Sequence, residues 1–292
     1  MELRRCCMSA WVVFLSVGLV GCSALTQSTF SQPGAPGYAA SAIEALHERT
    51  SPSFKKDGHF HTVHFVAGIA GMSGTPRQNA LTCYSQAPDK MSRYNAVPVS
   101  FWGFFTPEYR KLVVNTLHSL HGGDAKAVQN RREKLKGLVR EHFQRGEPDW
   151  KTGFLIHALG DSYAHVHGSL DAPIAYGELV GHGFALLHDP DDILLPENDR
   201  KYTAYVMALY EALADGKSNQ PARDFIDALK QKLPELRQKS KDLSEFLTDQ
   251  ERLAGGNPMF VETCGAVFAD LDPAEVEAFL KTTAVSLAAA AP

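Results

Sequence analysis

Apolar and polar positions alternate with a helical period along most of this chain. That spacing predicts helices over 39–48, 62–69, 76–86, 107–121, 125–144, 150–165, 174–186, 199–215, 222–229, 243–253 and 274–290. No run has the two-residue alternation of Val, Ile and Thr that marks a central strand. Several starts are legible. Thr106-Pro107 and Asp272-Pro273 each set a capping residue before a first-turn proline, and Pro148-Asp149 opens another helix similarly. Gly122-Gly123 and Gly255-Gly256 read as stops. With no internal repeat and no interdomain linker, the pattern predicts one all-α, multi-helix domain over 39–292.

The segment before that domain has a different character. Arg4 and Arg5 precede a short apolar run, Trp11 to Val20, which ends in Leu19-Val20-Gly21-Cys22. A positive start, a run too short to span a bilayer well and a small-residue cleavage site read as a secretory signal over 1–21. Leu-Val-Gly-Cys resembles a bacterial lipobox, which makes Cys22 the lipidated residue and 22–38 a flexible tether rich in Ser, Gln, Gly and Pro. The expected location is the cell envelope, anchored in but not spanning a membrane, and the outer membrane in particular. Cys83 and Cys264 are the two cysteines left in the domain, and they either pair or stay as separate thiols.

Of the 292 residues, 44% are hydrophobic and 21% charged, as in a globular protein with a large core. A formal charge of −4 leaves no basic stripe for dedicated nucleic-acid binding. The charge runs Arg131-Arg132-Glu133-Lys134 and 230–241 read as solvated helix faces. No P-loop, dinucleotide-binding glycine motif or Gly-x-Ser-x-Gly occurs.

Chemistry concentrates in the stretch from Ile156 to His165, IHALGDSYAH. His157, Asp161 and His165 stand four residues apart, so on a helix they form one polar stripe among residues otherwise suited to an interior. Three buried ionisable groups are costly unless compensated, and a bound cation would compensate them. Imidazole and carboxylate are zinc ligands, and the helix sets their separation. Further histidines stand at His59, His61 and His64, at His118 and His121, and at His182 and His188. His47, His142 and His167, taken singly, read as surface or packing residues, and Tyr163 and Phe184 as core.

His157 to His165, followed by Gly181-His182 and His188-Asp189-Pro190-Asp191-Asp192, resembles the zinc-dependent phospholipase C and fungal zinc nuclease superfamily. Asp57-Gly58-His59-Phe60 and Tyr84 to Asp89 resemble its N-terminal part, and the likeness spans about residues 57–192. It implies that fold and a metal site of His59, Asp89, His118, His157, Asp161, His165 and His182. His61 or His64 could stand in for His59, and His121 for His118. One or two zinc ions are expected, with three as the upper count. Two features depart from the family: no N-terminal tryptophan ligand is present, and Leu186 stands where a final glutamate follows His182, with Glu178 on the other side. The implied activity is phosphodiester hydrolysis by metal-activated water, phospholipase C-like, with Asp89 orienting or deprotonating that water. The membrane, through the lipid anchor, and a phospholipid or other phosphodiester are the expected partners. The competing expectation is a non-catalytic helical lipoprotein that binds metal or a partner.

Overall fold

The computed structural model describes residues 54–178, 192–239, 243–256 and 264–289. All of them lie in one compact unit, Pro36–Pro292. The expected helix over 39–48, the Cys22 anchor and His182 fall outside the described residues.

The described chain is helical, with one minimal hairpin. A π-helical turn, Phe54–His61, runs into α1 (Thr62–Ala67) and a second π turn, Gly68–Met72. There follow α2 (Pro76–Lys90), α3 (Ala96–Trp102), α4 (Pro107–Thr116), α5 (Ala125–Arg145) and α6 (Asp149–Ala164). Strands β1 (Val166–His167) and β2 (Ile174–Ala175) pair antiparallel, Val166 opposite Ala175. The remainder is α7 (Asp199–Leu213), α8 (Gln220–Lys239), α9 (Leu243–Leu253), α10 (Cys264–Phe268) and α11 (Pro273–Ala288). No described helix is long and apolar enough to cross a membrane.

Local chemistry accounts for most of these boundaries. Thr75 accepts from the Gln78 N–H at 3.2 Å, ahead of Pro76 in the first turn of α2. Asp124 accepts from the Ala127 N–H at 2.9 Å to start α5, and Gly146, at φ 66°, ends it in the left-handed conformation. Asp272 and Pro273 open α11 as the sequence suggests, Asp272 accepting from the Ala274 N–H at 2.8 Å. Thr106 makes no such cap on α4.

Helix α6 is the axis of the domain. Every residue from Thr152 to Ala164 is buried, so it is enclosed on all sides by α2, α5 and α7. Leu155, Ile156 and Leu159 join Leu135 and Val139 of α5 and Tyr205, Val206 and Leu209 of α7 in the main core. Phe154 on another face packs with Val113 and Val114 of α4 and Val276 and Leu280 of α11. Helix α2 crosses α6 closely at Gly153, where an added Cβ would stand 2.4 Å from the Tyr84 Cβ and 2.9 Å from its backbone carbon. Cys83 of α2 is disulfide-bonded to Cys264 at the start of α10, with Cα atoms 5.3 Å apart.

Four expectations need correction. Residues 174–175 are a strand, not the start of a helix, because Ile174 and Ala175 complete a backbone ladder with β1. Helix α4 stops at Thr116 rather than His121, since Ser119 turns to a positive φ of 52°. Helix α8 extends well beyond 222–229, carrying Pro234 within it. The run 131–134 is a solvated face only in part: Glu133 is exposed, but Arg132 is 2% exposed and Arg131 half-buried, because both arginines turn inward to carbonyls at helix ends.

Candidate metal centre

Four segments deliver side chains to one buried point beside α6. His157 and Asp161 come from α6 itself and His165 from the residue after it. His59 comes from the first π turn, Asp89 from the end of α2, and His118 from the turn after α4. All six are buried, and Asp89 at 8% is the most exposed.

Asp161 is the hub. Its Oδ1 lies 2.8 Å from His59 Nε2. Its Oδ2 lies 3.0 Å from His118 Nδ1, 3.3 Å from His157 Nε2 and 3.4 Å from His165 Nδ1. Asp89 Oδ1 lies 3.9 Å from His157 Nε2. The His59 and His157 rings stack with centroids 4.0 Å apart. Gly160 permits this approach, because a Cβ there would stand 2.8 Å from His59 Cε1 and 3.3 Å from Tyr205 Cζ.

Backbone carbonyls fix the tautomers. His157 Nδ1 is 2.9 Å from the Ser85 carbonyl and His118 Nε2 is 2.8 Å from that of Tyr94. A carbonyl only accepts, so both of those nitrogens carry hydrogen. The opposite nitrogens, His157 Nε2 and His118 Nδ1, then face each other as bare lone pairs at 3.2 Å. Each also faces the Asp161 Oδ2 acceptor. Three acceptors meeting in a dry interior repel unless a cation stands among them. Tetrahedral zinc with bonds of about 2.0–2.1 Å separates its ligand atoms by about 3.3–3.4 Å, close to the spacings found here. The donor set therefore fits a metal ion.

The electrostatics of the cluster point the same way. Burial works to raise the Asp161 carboxyl, but the His165, His157 and His59 imidazoles outweigh it and hold the group well below the usual carboxylate range. Burial pulls His157 down, yet Asp161 and Asp89 outweigh it and its net direction is up. His59 goes down, through burial and the neighbouring His157. Asp161 and Asp89 thus make the His157 site favourable to positive charge.

Two overlapping groups can each offer three ligand atoms within 4.8 Å of one another: His59, His157 and Asp161, and Asp89, His118 and His157. Both draw on His157, so among the described residues these two groups cannot be filled at the same time. His165 gives its Nδ1–H to the His118 carbonyl at 2.6 Å, leaving Nε2 as its only ligating nitrogen, and that atom belongs to neither group. Of the alternatives, His64 sits elsewhere, 3.0 Å from Glu251 Oε1, and His121 lines a separate cavity. Glu178 is not among the residues converging on Asp161.

Several supporting residues carry no signal in the sequence. Ser85 and Tyr94 act through backbone carbonyls, which no motif encodes. Arg132 gives its Nε–H to the Ser162 carbonyl at 3.0 Å and lies 4.2 Å over the Tyr163 ring. Lys201, 4% exposed, reaches the Val166 carbonyl at 3.0 Å. Two buried cations thus complement the C-terminal end of α6, where His165 leaves the helix. Compared with protein-family profiles, curated proteins and solved structures, the chain matches none.

Proposed function

We propose that this protein is an envelope-anchored, zinc-dependent phosphodiester hydrolase of the phospholipase C-like kind. The observation that carries the reading is the meeting of His157 Nε2, His118 Nδ1 and Asp161 Oδ2, three acceptors that need a cation. The resemblance of His157 to His165 and of Asp89 to the zinc phospholipase C pattern supports the choice of chemistry. A divalent metal, when bound, supplies Lewis acidity and an activated water to a phosphodiester. His157 and Asp161 would hold it, with His118 or His59 as the third ligand. Ser85 and Tyr94 take the opposite ring N–H groups, so in the neutral rings His157 Nε2 and His118 Nδ1 carry the lone pairs. Asp89, at the most exposed edge of the cluster, is placed to take a proton from attacking water. The lipobox-like Leu19 to Cys22 would hold the enzyme beside phospholipid.

The depth of the cluster favours a second reading, a metal-holding module without turnover, since His157 is 0% exposed and His118 1%. One experiment decides between them. Tag-free protein is analysed for metal and assayed with bis(p-nitrophenyl) phosphate and with phospholipid vesicles. The hydrolase reading expects at least one equivalent of zinc, hydrolysis abolished by chelator, and loss of both in His157→Ala/Asp161→Ala. Zinc without turnover leaves the second reading, and no zinc after incubation with the metal refutes both.

A further inference from the structure

Beside the turn that carries His118 lies a cavity of about 410 Å³, walled by α4, α5 and α11. That volume suits a small ligand. Its polar lining includes Lys111, Asn115, His121 and Arg131, and Leu112, Ala284 and Leu287 supply apolar wall. Glu108, one turn before Lys111, is the single carboxylate among the lining residues.

Arg131 is the unusual member. It gives Nε–H to Ser119 Oγ at 3.2 Å and Nη2 to the carbonyls of Asn115 and Thr116. No carboxylate pairs with it, and Nη1 makes no hydrogen bond among the described residues. Arg131 is half-buried, so this guanidinium is partly shielded from water and has no counter-ion. Asn115 Oδ1 is buried in the same wall with no hydrogen-bond donor. His121 Nδ1 accepts from the Gly123 N–H at 3.2 Å, so a neutral His121 carries its hydrogen on Nε2 as a further donor. The lining thus offers several donors and an apolar wall.

We propose that this cavity binds a small amphiphilic anion, a carboxylate or phosphate head on a short apolar tail, with Arg131 and Lys111 taking the head and Leu112, Ala284 and Leu287 the tail. Arg131 grips the 115–119 turn, and Ser119 Oγ in turn donates to the Ala158 carbonyl at 3.0 Å, next to His157. An anion on Arg131 therefore sits two contacts from the candidate metal centre. None of the lining residues belongs to that centre, so the site stands whether or not the chain binds zinc.

The test is isothermal titration of the whole purified protein with hexyl phosphate, hexanoate, inorganic phosphate and hexanol, each with and without chelator. The site predicts saturable binding of at least one hexyl anion with Kd below about 1 mM, insensitive to chelator. It also predicts binding at least tenfold weaker in Lys111→Glu and in Ala284→Trp, both melting where the parent does. Preference for hexanoate or for hexyl phosphate supports the site and names its head group. No saturable binding of either hexyl anion overturns the proposal. So does binding unchanged in both variants, or inorganic phosphate or hexanol binding as tightly as the hexyl anions. Should Ala284→Trp fail to fold, Lys111→Glu decides alone.

Discussion

Gly160→Ala puts the packing of the candidate centre to a quantitative test. Glycine inside a helix costs about 1 kcal/mol relative to alanine, so the substitution alone should stabilise α6. Here the new methyl carbon would lie 2.8 Å from His59 Cε1 and 3.0 Å from its Nδ1. His59 is a poor candidate to give way, being 1% exposed and held to Asp161 at 2.8 Å. Overpacking of this kind costs about 1–3 kcal/mol, and weakening the His59–Asp161 bond adds about 1 kcal/mol or more. The net expectation is destabilisation by about 1–3 kcal/mol. Gly137→Ala is the control: it stands in α5 with nothing within 4 Å of an added Cβ, and should gain about 1 kcal/mol. Urea unfolding of both variants should therefore differ by about 2–4 kcal/mol. Zinc content should fall in Gly160→Ala alone. If Gly160→Ala is as stable as Gly137→Ala and keeps the parent's metal content, the close approach of His59 to α6 is wrong.

Two further predictions concern other parts of the fold. The Cys83–Cys264 bridge spans 181 residues, for which chain entropy sets a ceiling of about 5 kcal/mol. Reduction, or Cys83→Ala/Cys264→Ala, should lower unfolding stability by about 2–5 kcal/mol, read by denaturant titration with and without reductant. Burial and the Arg131 charge push the His121 imidazole down to about 4. Between about pH 6.5 and 4 the unfolded chain takes up a proton that native His121 refuses, so stability falls as pH drops through that window. The loss is at most about 3 kcal/mol, less for the part of the ring that water reaches. His121→Asn keeps an acceptor for the Gly123 N–H and should flatten that part of the pH–stability curve, which acid-range melts will show.

Much of the helical frame was legible because its boundaries are local. Leu243–Leu253 ends before Gly255, and Asp272-Pro273 opens α11, where a cap and a ring constraint act within a few residues. The failures occur where distant partners decide. Ile174-Ala175 is an apolar pair that suits a helix or a strand equally, and the ladder with Val166-His167 settles it. Arg131 and Arg132 look like neighbours in a solvated run, yet free carbonyls at the ends of α4 and α6 draw them inward. In the candidate centre, four-residue spacing was enough to place His157 and Asp161 on one face. His59, Asp89 and His118 were reachable only through resemblance, being supplied by separate segments. What selects the bare nitrogens, the Ser85 and Tyr94 carbonyls, has no side-chain signature at all.

Those two carbonyls also let pH distinguish the cations that could hold the cluster together. Suppose the cation is a proton on His157, whose affinity Asp161 and Asp89 raise above that of a free histidine. The stabilisation is then complete below about pH 6.5, where the unfolded imidazole is also protonated, and disappears as pH climbs through the raised native value. Suppose instead that the cation is a metal. Protons compete with it for the same nitrogens, so its hold strengthens as pH rises over that range and weakens in acid. The two cases thus have opposite slopes. We expect metal-loaded protein to gain stability from about pH 6 to 8, and chelator-treated protein to lose it over the same interval. Parallel slopes in paired urea titrations would refute a metal at His157, because removing an ion that competes with protons for that nitrogen must change the pH dependence.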